Sequence, residues 1–326
     1  MGTTLDLDGL QRLLWNFAGQ RLITVAGRAG ILGLLSETAL TPDQVADELD
    51  LDPLATGKVI RALCAQGLVE DDGQRYRVVE ALRPYFAPGP GDFTPFLDHL
   101  HFMYESWGEN LEPWLRGEGW GTMPRTPEGI RRFGAAMRAM GAQIARRVAE
   151  TLDLDGVETV LDVGGGWGHY AVAMCRVNPA IRATVLDIPE VANAAPESIA
   201  GSELENRISW IGGDYLSTDY GSGYDLVLLA NMLHQELAPE AAAIIRRAAT
   251  ALAPGGRVVV VDFSIDEAKR EHPFGTLFAI NMRSFGDTYS EPQIRGWMED
   301  AGLFDIERQD LGLDRWIISG RKNDEL

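Results

Sequence analysis

The run Val160-Leu161-Asp162-Val163-Gly164-Gly165-Gly166-Trp167-Gly168-His169-Tyr170 constrains this chain more than any other segment. A short apolar strand runs into four glycines, and an apolar helical stretch follows. Glycines in such a turn let the backbone approach a ligand closely, and the helix start offers free N–H groups. From Val157 onward short strand-like runs alternate with helical ones, the mark of a parallel sheet covered by helices. Strands are expected at 159–163, 182–186, 208–211, 224–229 and 257–261. Helices are expected at 171–177, 240–252 and 291–301. Two last strands, at 304–311 and 315–319, are joined by Gly312-Leu313-Asp314, too short for a crossover, so they must pair antiparallel.

The N-terminal part reads differently. Positions 5–35 carry an apolar stripe at helical spacing: Leu10, Leu13, Leu14 and Phe17, then Leu22, Val25, Ile31 and Leu34. Thr41-Pro42-Asp43-Gln44 reads as an N-cap with proline in the first turn. It opens a helix at 45–49, and a second helix at 54–66 stops at Gly67. Two short strands, 68–69 and 76–79, flank the turn Asp71-Asp72-Gly73. This is the outline of a winged helix. Residues 1–90 hold 12 acidic and 8 basic residues, a net of −4, and the helix at 54–66 offers only Lys58 and Arg61. Nucleic-acid binding needs clustered basic contacts, so packing or dimerisation is the better use of this unit. The Pro- and Gly-rich segment 84–95 reads as a loop. Helical stretches at 96–115 and 127–152 follow, separated by a loop at 117–126. They are rich in Met and aromatics, among them Phe102, Met103, Tyr104, Trp107, Trp114, Phe133, Met137 and Met140. Such residues make helix core, and as a group can line an apolar pocket for a flat ligand. The expected domains are 1–90, a helical linker with pocket helices at 91–152, and the sheet domain at 153–326.

Read from Gly166, the glycine turn also satisfies G-x-G-x-x-A, so alone it does not separate a dinucleotide from S-adenosylmethionine. Three acids decide. Asp162 precedes the glycines at the strand end, where a carboxylate suits an ammonium and repels a pyrophosphate. Asp187 ends the second strand and suits ribose hydroxyls. Asp214, in Gly212-Gly213-Asp214-Tyr215, can accept a hydrogen bond from an adenine amino group beside an aromatic face.

Together with Leu186-Asp187-Ile188-Pro189 and Ala253-Pro254-Gly255-Gly256-Arg257, these segments resemble the class I S-adenosylmethionine-dependent methyltransferases. More narrowly, they resemble the small-molecule O-methyltransferases acting on caffeate, acetylserotonin and polyketides. The resemblance covers nearly the whole chain. It implies an α/β, Rossmann-like sheet of order 3-2-1-4-5-7-6 and an N-terminal winged-helix-like dimerisation domain in an intertwined homodimer. It implies cofactor contacts at Asp162, Gly164, Gly166, Gly168, Asp187, Asp214, Tyr215 and Asn231, with S-adenosylhomocysteine as product. It places a general base at His234, in Asn231-Met232-Leu233-His234-Gln235-Glu236, and an orienting acid at Asp262. Many members follow that histidine with Asp-Trp; here Gln235-Glu236 follow. Asp287 falls near a further family acid. Met103, Trp107, Phe133, Met137, Phe278 and Met282 are the candidates for the acceptor pocket.

A phenol is almost wholly protonated at neutral pH, and a histidine can remove its proton as it attacks a methyl carbon. Other readings stay open: a carbon or nitrogen acceptor, or a scaffold that binds S-adenosylmethionine for decarboxylation, hydroxylation or ring closure. No HExxH, CxxC or paired-histidine pattern calls for a metal. A net charge of −19 argues against nucleic acid as partner. Two cysteines in apolar sequence, Cys64 and Cys175, no signal peptide and no apolar run of membrane-spanning length suit the cytoplasm. The terminal Asn323-Asp324-Glu325-Leu326 reads as a polar tail rather than a retention signal.

Overall fold

The computed structural model describes residues 6–89, 91–120, 126–269, 272–282, 285–312 and 314–323. The expectations for Leu5, Pro90, loop residues 121–125, Leu313 and tail residues 324–326 lie outside them. The chain divides into two units, Met1–Arg125 with Ala135–Met140, and Thr126–Gly134 with Gly141–Leu326.

In the first unit α1 (Leu7–Arg28) starts at Asp6, whose carboxylate accepts the Gly9 N–H. The sequence predicts one apolar stretch to residue 35; the structure ends the helix and starts α2 (Ile31–Glu37) after Gly30, at φ 85°. A left-handed residue cannot continue a helix, and glycine adopts that conformation without strain. At α3 (Pro42–Leu49) Thr41 accepts the Gln44 N–H while the Gln44 amide oxygen accepts the Thr41 N–H. This reciprocal cap fixes the helix start. Helix α4 (Pro53–Ala65) follows, then β1 (Val69–Asp71) and β2 (Tyr76–Val78), paired antiparallel. Leu32, Leu35, Val45, Ile60, Leu63 and Val78 are buried in one core.

The segment expected to be a loop at 84–95 contains α5 (Arg83–Phe86) and the start of α6 (Thr94–Leu115). Pro84 and Pro95 sit in first turns, where the missing N–H has no helical partner to lose. Helix α6 runs beside α1, linked by Arg21–Glu105 at 2.9 Å and Arg28–Asp98 at 2.8 Å. Towards its N-terminus α1 exposes Leu7, Leu10, Leu13, Leu14, Trp15 and Phe17, with Trp15 at 71%. Helix α7 (Pro127–Thr151), capped by Thr126, supplies residues to both units.

The second unit is built on β3 (Thr159–Val163), β4 (Arg182–Asp187), β5 (Ile208–Gly212), β6 (Tyr224–Ala230), β7 (Leu252–Phe263), β8 (Phe304–Gly312) and β9 (Arg315–Arg321). Their order is β5-β4-β3-β6-β7-β9-β8, the expected 3-2-1-4-5-7-6. All neighbours are parallel except at β9, which runs antiparallel to β7 and β8. Leu226–Leu229 and Val258–Val261 are buried throughout, as strands covered on both faces must be. Strand β7 begins five residues before the expected position, because Leu252 already pairs with Tyr224 across a register shift. The covering helices include α8 (His169–Val177), α9 (Pro189–Ala194), α10 (Ala238–Ala251), α11 (Pro273–Asn281) and α12 (Glu291–Asp300). The sequence reading did not find α9 and α11: one is six residues long and the other lacks a polar face. The carboxyl ends of β3 to β7 share one edge. The start of β9 joins it, since that strand runs the other way.

Candidate active site

Strand β3 delivers Asp162 to this edge fully buried, with neither carboxylate oxygen hydrogen-bonded among the described residues. Burial, with the Asp187 charge adding to it, pushes its carboxyl up to about 8; the nearby Ala171 N–H only partly opposes this. A buried, unpartnered carboxylate is destabilised by lost solvation, and a cation with N–H donors would relieve that. The turn beyond it needs its glycines. A Cβ at Gly165 would collide with the Asp162 carboxyl group, and Gly166 and Gly168 have φ of 56° and 68°.

Asp187, half-buried at the end of β4, accepts the Gly166 N–H on one oxygen and the Ile188 N–H on the other, both at 2.8 Å. The Trp210 indole N–H donates to the Gly166 carbonyl at 3.0 Å. The turn is thus held from β4 and β5. Trp167 and His169 lean on α7 at Gly134 and Gly141, where any Cβ would collide with them. Asp214 is exposed and accepts the Leu216 N–H, and the Tyr215 hydroxyl donates to Glu236 at 2.6 Å. Burial and that carboxylate hold the Tyr215 hydroxyl well above its ordinary range.

At the end of β6, Asn231 is left-handed at φ 52°, a conformation that asparagine tolerates better than most residues. Its amide donates to the Tyr170 hydroxyl at 2.8 Å, while its own oxygen is buried without a partner among the described residues. His234, 4% exposed, meets Asp262, 5% exposed, through Nδ1···Oδ1 at 2.7 Å. The same Asp262 oxygen accepts the Phe263 N–H at 2.8 Å, which fixes the carboxylate. Facing a carboxylate, Nδ1 is placed as the donor, and in the neutral imidazole that leaves the lone pair on Nε2. Phe278 stands edge-on to the imidazole at 4.9 Å between centroids. Asp287 pairs instead with Lys269 and accepts the Thr288 N–H; among the described residues it makes no hydrogen bond to His234.

Of the remaining pocket candidates, Met282 is half-buried and Phe133 is 53% exposed. Met103, Trp107 and Met137 belong to the first unit; there Trp107 packs edge-on to Trp120 at 6.2 Å. Sequence reasoning missed Tyr170, Trp210 and Arg315. Tyr170 closes the glycine run, where nothing local marks it as a site residue. Arg315 carried a signal, a charge opening the apolar run Trp316-Ile317-Ile318 at the ligand edge. Among the described residues no three His, Cys, Asp or Glu side chains gather as a metal site, and no helix is long and apolar enough to cross a membrane.

Comparison with known proteins agrees with this architecture. The family profile of the O-methyltransferase domain matches residues 108–303, more than half of the chain. A 3-hydroxy-5-methyl-1-naphthoate 3-O-methyltransferase of Streptomyces sahachiroi is 28% identical over 92% of this chain and 89% of its own length. An L-tyrosine C(3)-methyltransferase of Streptomyces lavendulae is 28% identical over 78% of this chain and 74% of its own. Human N-acetylserotonin methyltransferase, solved in complex with S-adenosylmethionine, superposes with a TM-score of 0.86 at 23% identity, covering 99% of this chain and all of that one. The chain therefore belongs to the O-methyltransferase family and is an S-adenosylmethionine-dependent methyltransferase of a small-molecule acceptor.

Proposed function

We propose that the acceptor atom is a phenolic oxygen of a small aromatic natural product and that His234 is the general base. The observation that carries this reading is the buried 2.7 Å contact between His234 and Asp262 at the carboxyl edge of the sheet. S-adenosylmethionine supplies an electrophilic methyl group on a sulfonium. Asp262 holds the imidazole in the tautomer whose Nε2 can take the phenolic proton, and stabilises the imidazolium that results. Phe263 and Phe278 flank the ring and shield it from water. Asp162 receives the cofactor's ammonium, Asp187 its ribose and Asp214 with Tyr215 its adenine, while Asn231 and the glycine turn complete that site. Phe133, Phe278 and Met282, all in the second unit, contribute apolar surface for the acceptor. In-line positioning of two bound reactants supplies much of the rate.

The chain acts as a homodimer in this reading, supported by the apolar face that α1 leaves exposed from Leu7 to Phe17. In this reading residues 1–90 serve as the dimerisation domain and residues 153–326 as the methyltransferase domain. It does not bind nucleic acid. The test is incubation with methyl-labelled S-adenosylmethionine and a panel of phenols, followed by mass spectrometry and NMR of the product. Gain of one methylene as an O-methyl ether supports the reading. A C-methyl product favours the second reading, which the 28% identity to an L-tyrosine C(3)-methyltransferase supports. Absence of any methylated product across the panel counts against both.

A further inference from the structure

Arg315 is 5% exposed, and its Nε and Nη1 have no hydrogen-bond partner among the described residues. Its flat face is engaged: the guanidinium carbon lies 3.5 Å from the Phe263 ring centroid and 5.4 Å from that of Phe274. Stacking of this kind leaves the N–H edge of a guanidinium available. The acids near it have other partners. Asp262 holds His234 and the Phe263 N–H, and Asp314 faces His272 at 3.8 Å. Among the described residues neither makes an ion pair with Arg315. Burial draws the guanidinium down to about 10, with Asp262, Tyr170 and Asp314 pulling the other way, so it stays cationic at neutral pH. A buried cation with unfilled donors is strongly destabilising unless an anion meets it.

Its position says which anion. Arg315 opens β9 opposite Phe263, the last residue of β7, so it sits on the ligand edge of the sheet. One ring, Phe263, touches both the guanidinium and, at 5.3 Å between centroids, the His234 imidazole. A planar fork of N–H groups matches a planar carboxylate.

We propose that Arg315 is a specificity-determining residue whose unpartnered N–H groups receive a carboxylate borne by the acceptor's aromatic ring. The substrate class is thus a hydroxyaryl carboxylic acid. This rests on the reading of the site as one that methylates a small aromatic acceptor.

The test is calorimetric binding of one- and two-ring hydroxyaryl carboxylates and of their carboxamides to protein saturated with S-adenosylhomocysteine. At least one acid should bind the wild type about tenfold or more tighter than its amide. In Arg315→Met, which keeps an apolar stem on Phe263, that ratio should fall to about twofold or less while amide binding is unchanged. Arg315→Lys, which keeps the charge without the planar fork, should retain part of the preference. Should Arg315→Met fail to fold, the wild-type ratio and the lysine variant decide. Equal binding of acid and amide, binding of neither, or a preference that survives in Arg315→Met overturns the proposal. Because binding is read without turnover, an Arg315-dependent acid preference in a protein that methylates nothing would count against methyl transfer alone.

Discussion

Binding of S-adenosylmethionine at neutral pH should release a proton from Asp162. The carboxyl is buried, unpartnered and near Asp187, and its value rises from 3.8 to about 8. At pH 7 such a group is about nine-tenths protonated. The incoming α-ammonium is still mostly charged at that pH, and beside it the ionised carboxylate is favoured. Binding should therefore release about 0.9 proton per site at pH 7. Calorimetry in buffers of different ionisation enthalpy reads this number directly, as the slope of observed against buffer enthalpy. The same linkage acts on stability. A folded value above the unfolded one gives a contribution fully present below 3.8 and lost as the pH rises through about 8. The free protein should lose stability over that window through this group, and saturating ligand should flatten the loss. Asp162→Asn should abolish the proton release and weaken binding. An enthalpy independent of buffer in the wild type would refute the assignment of Asp162 to the ammonium.

Asp187→Ala should weaken S-adenosylmethionine by about tenfold or more in a titration, since it loses both the ribose contact and the anchor of the Gly166 N–H. Tight binding of NAD by the wild type would count against the same assignment. Full-length protein should scatter light as a dimer, and removal of residues 1–35 should expose apolar surface and cause aggregation. A stable full-length monomer would contradict the role given to the exposed face of α1.

The sheet was legible because each of its parts has a local signature. The glycine turn fixed β3 and α8, alternation fixed the parallel strands, and the three-residue link at 312–314 forced the antiparallel hairpin. Boundaries failed where tertiary pairing decides them, as at β7, whose Leu252 joins the sheet by pairing with Tyr224. Helix α11 escaped because Phe274, Leu277, Phe278 and Ile280 leave no polar face to give a period. Within the site, acids at strand ends were readable one by one. That His234 and Asp262, 28 residues apart, touch follows only from β6 and β7 lying side by side. Arg315 could be read only as a charge opening an apolar run; its lack of a partner is a property of what surrounds it. Asp287 shows the converse, since proximity in sequence to a family acid did not foretell its pairing with Lys269.

The most direct test of the central claim is a single-turnover methyl-transfer rate for His234→Ala, with saturating S-adenosylmethionine and an acceptor found in the phenol panel. The account expects a fall of about 10² to 10⁴. Cofactor affinity should change little, because ribose and adenine are assigned to Asp187 and Asp214. Asp262→Asn should lower the rate in the same direction by freeing the imidazole to turn. A His234→Ala rate within a few-fold of wild type would contradict the account, leaving His234 a structural group and the acceptor an atom that needs no base.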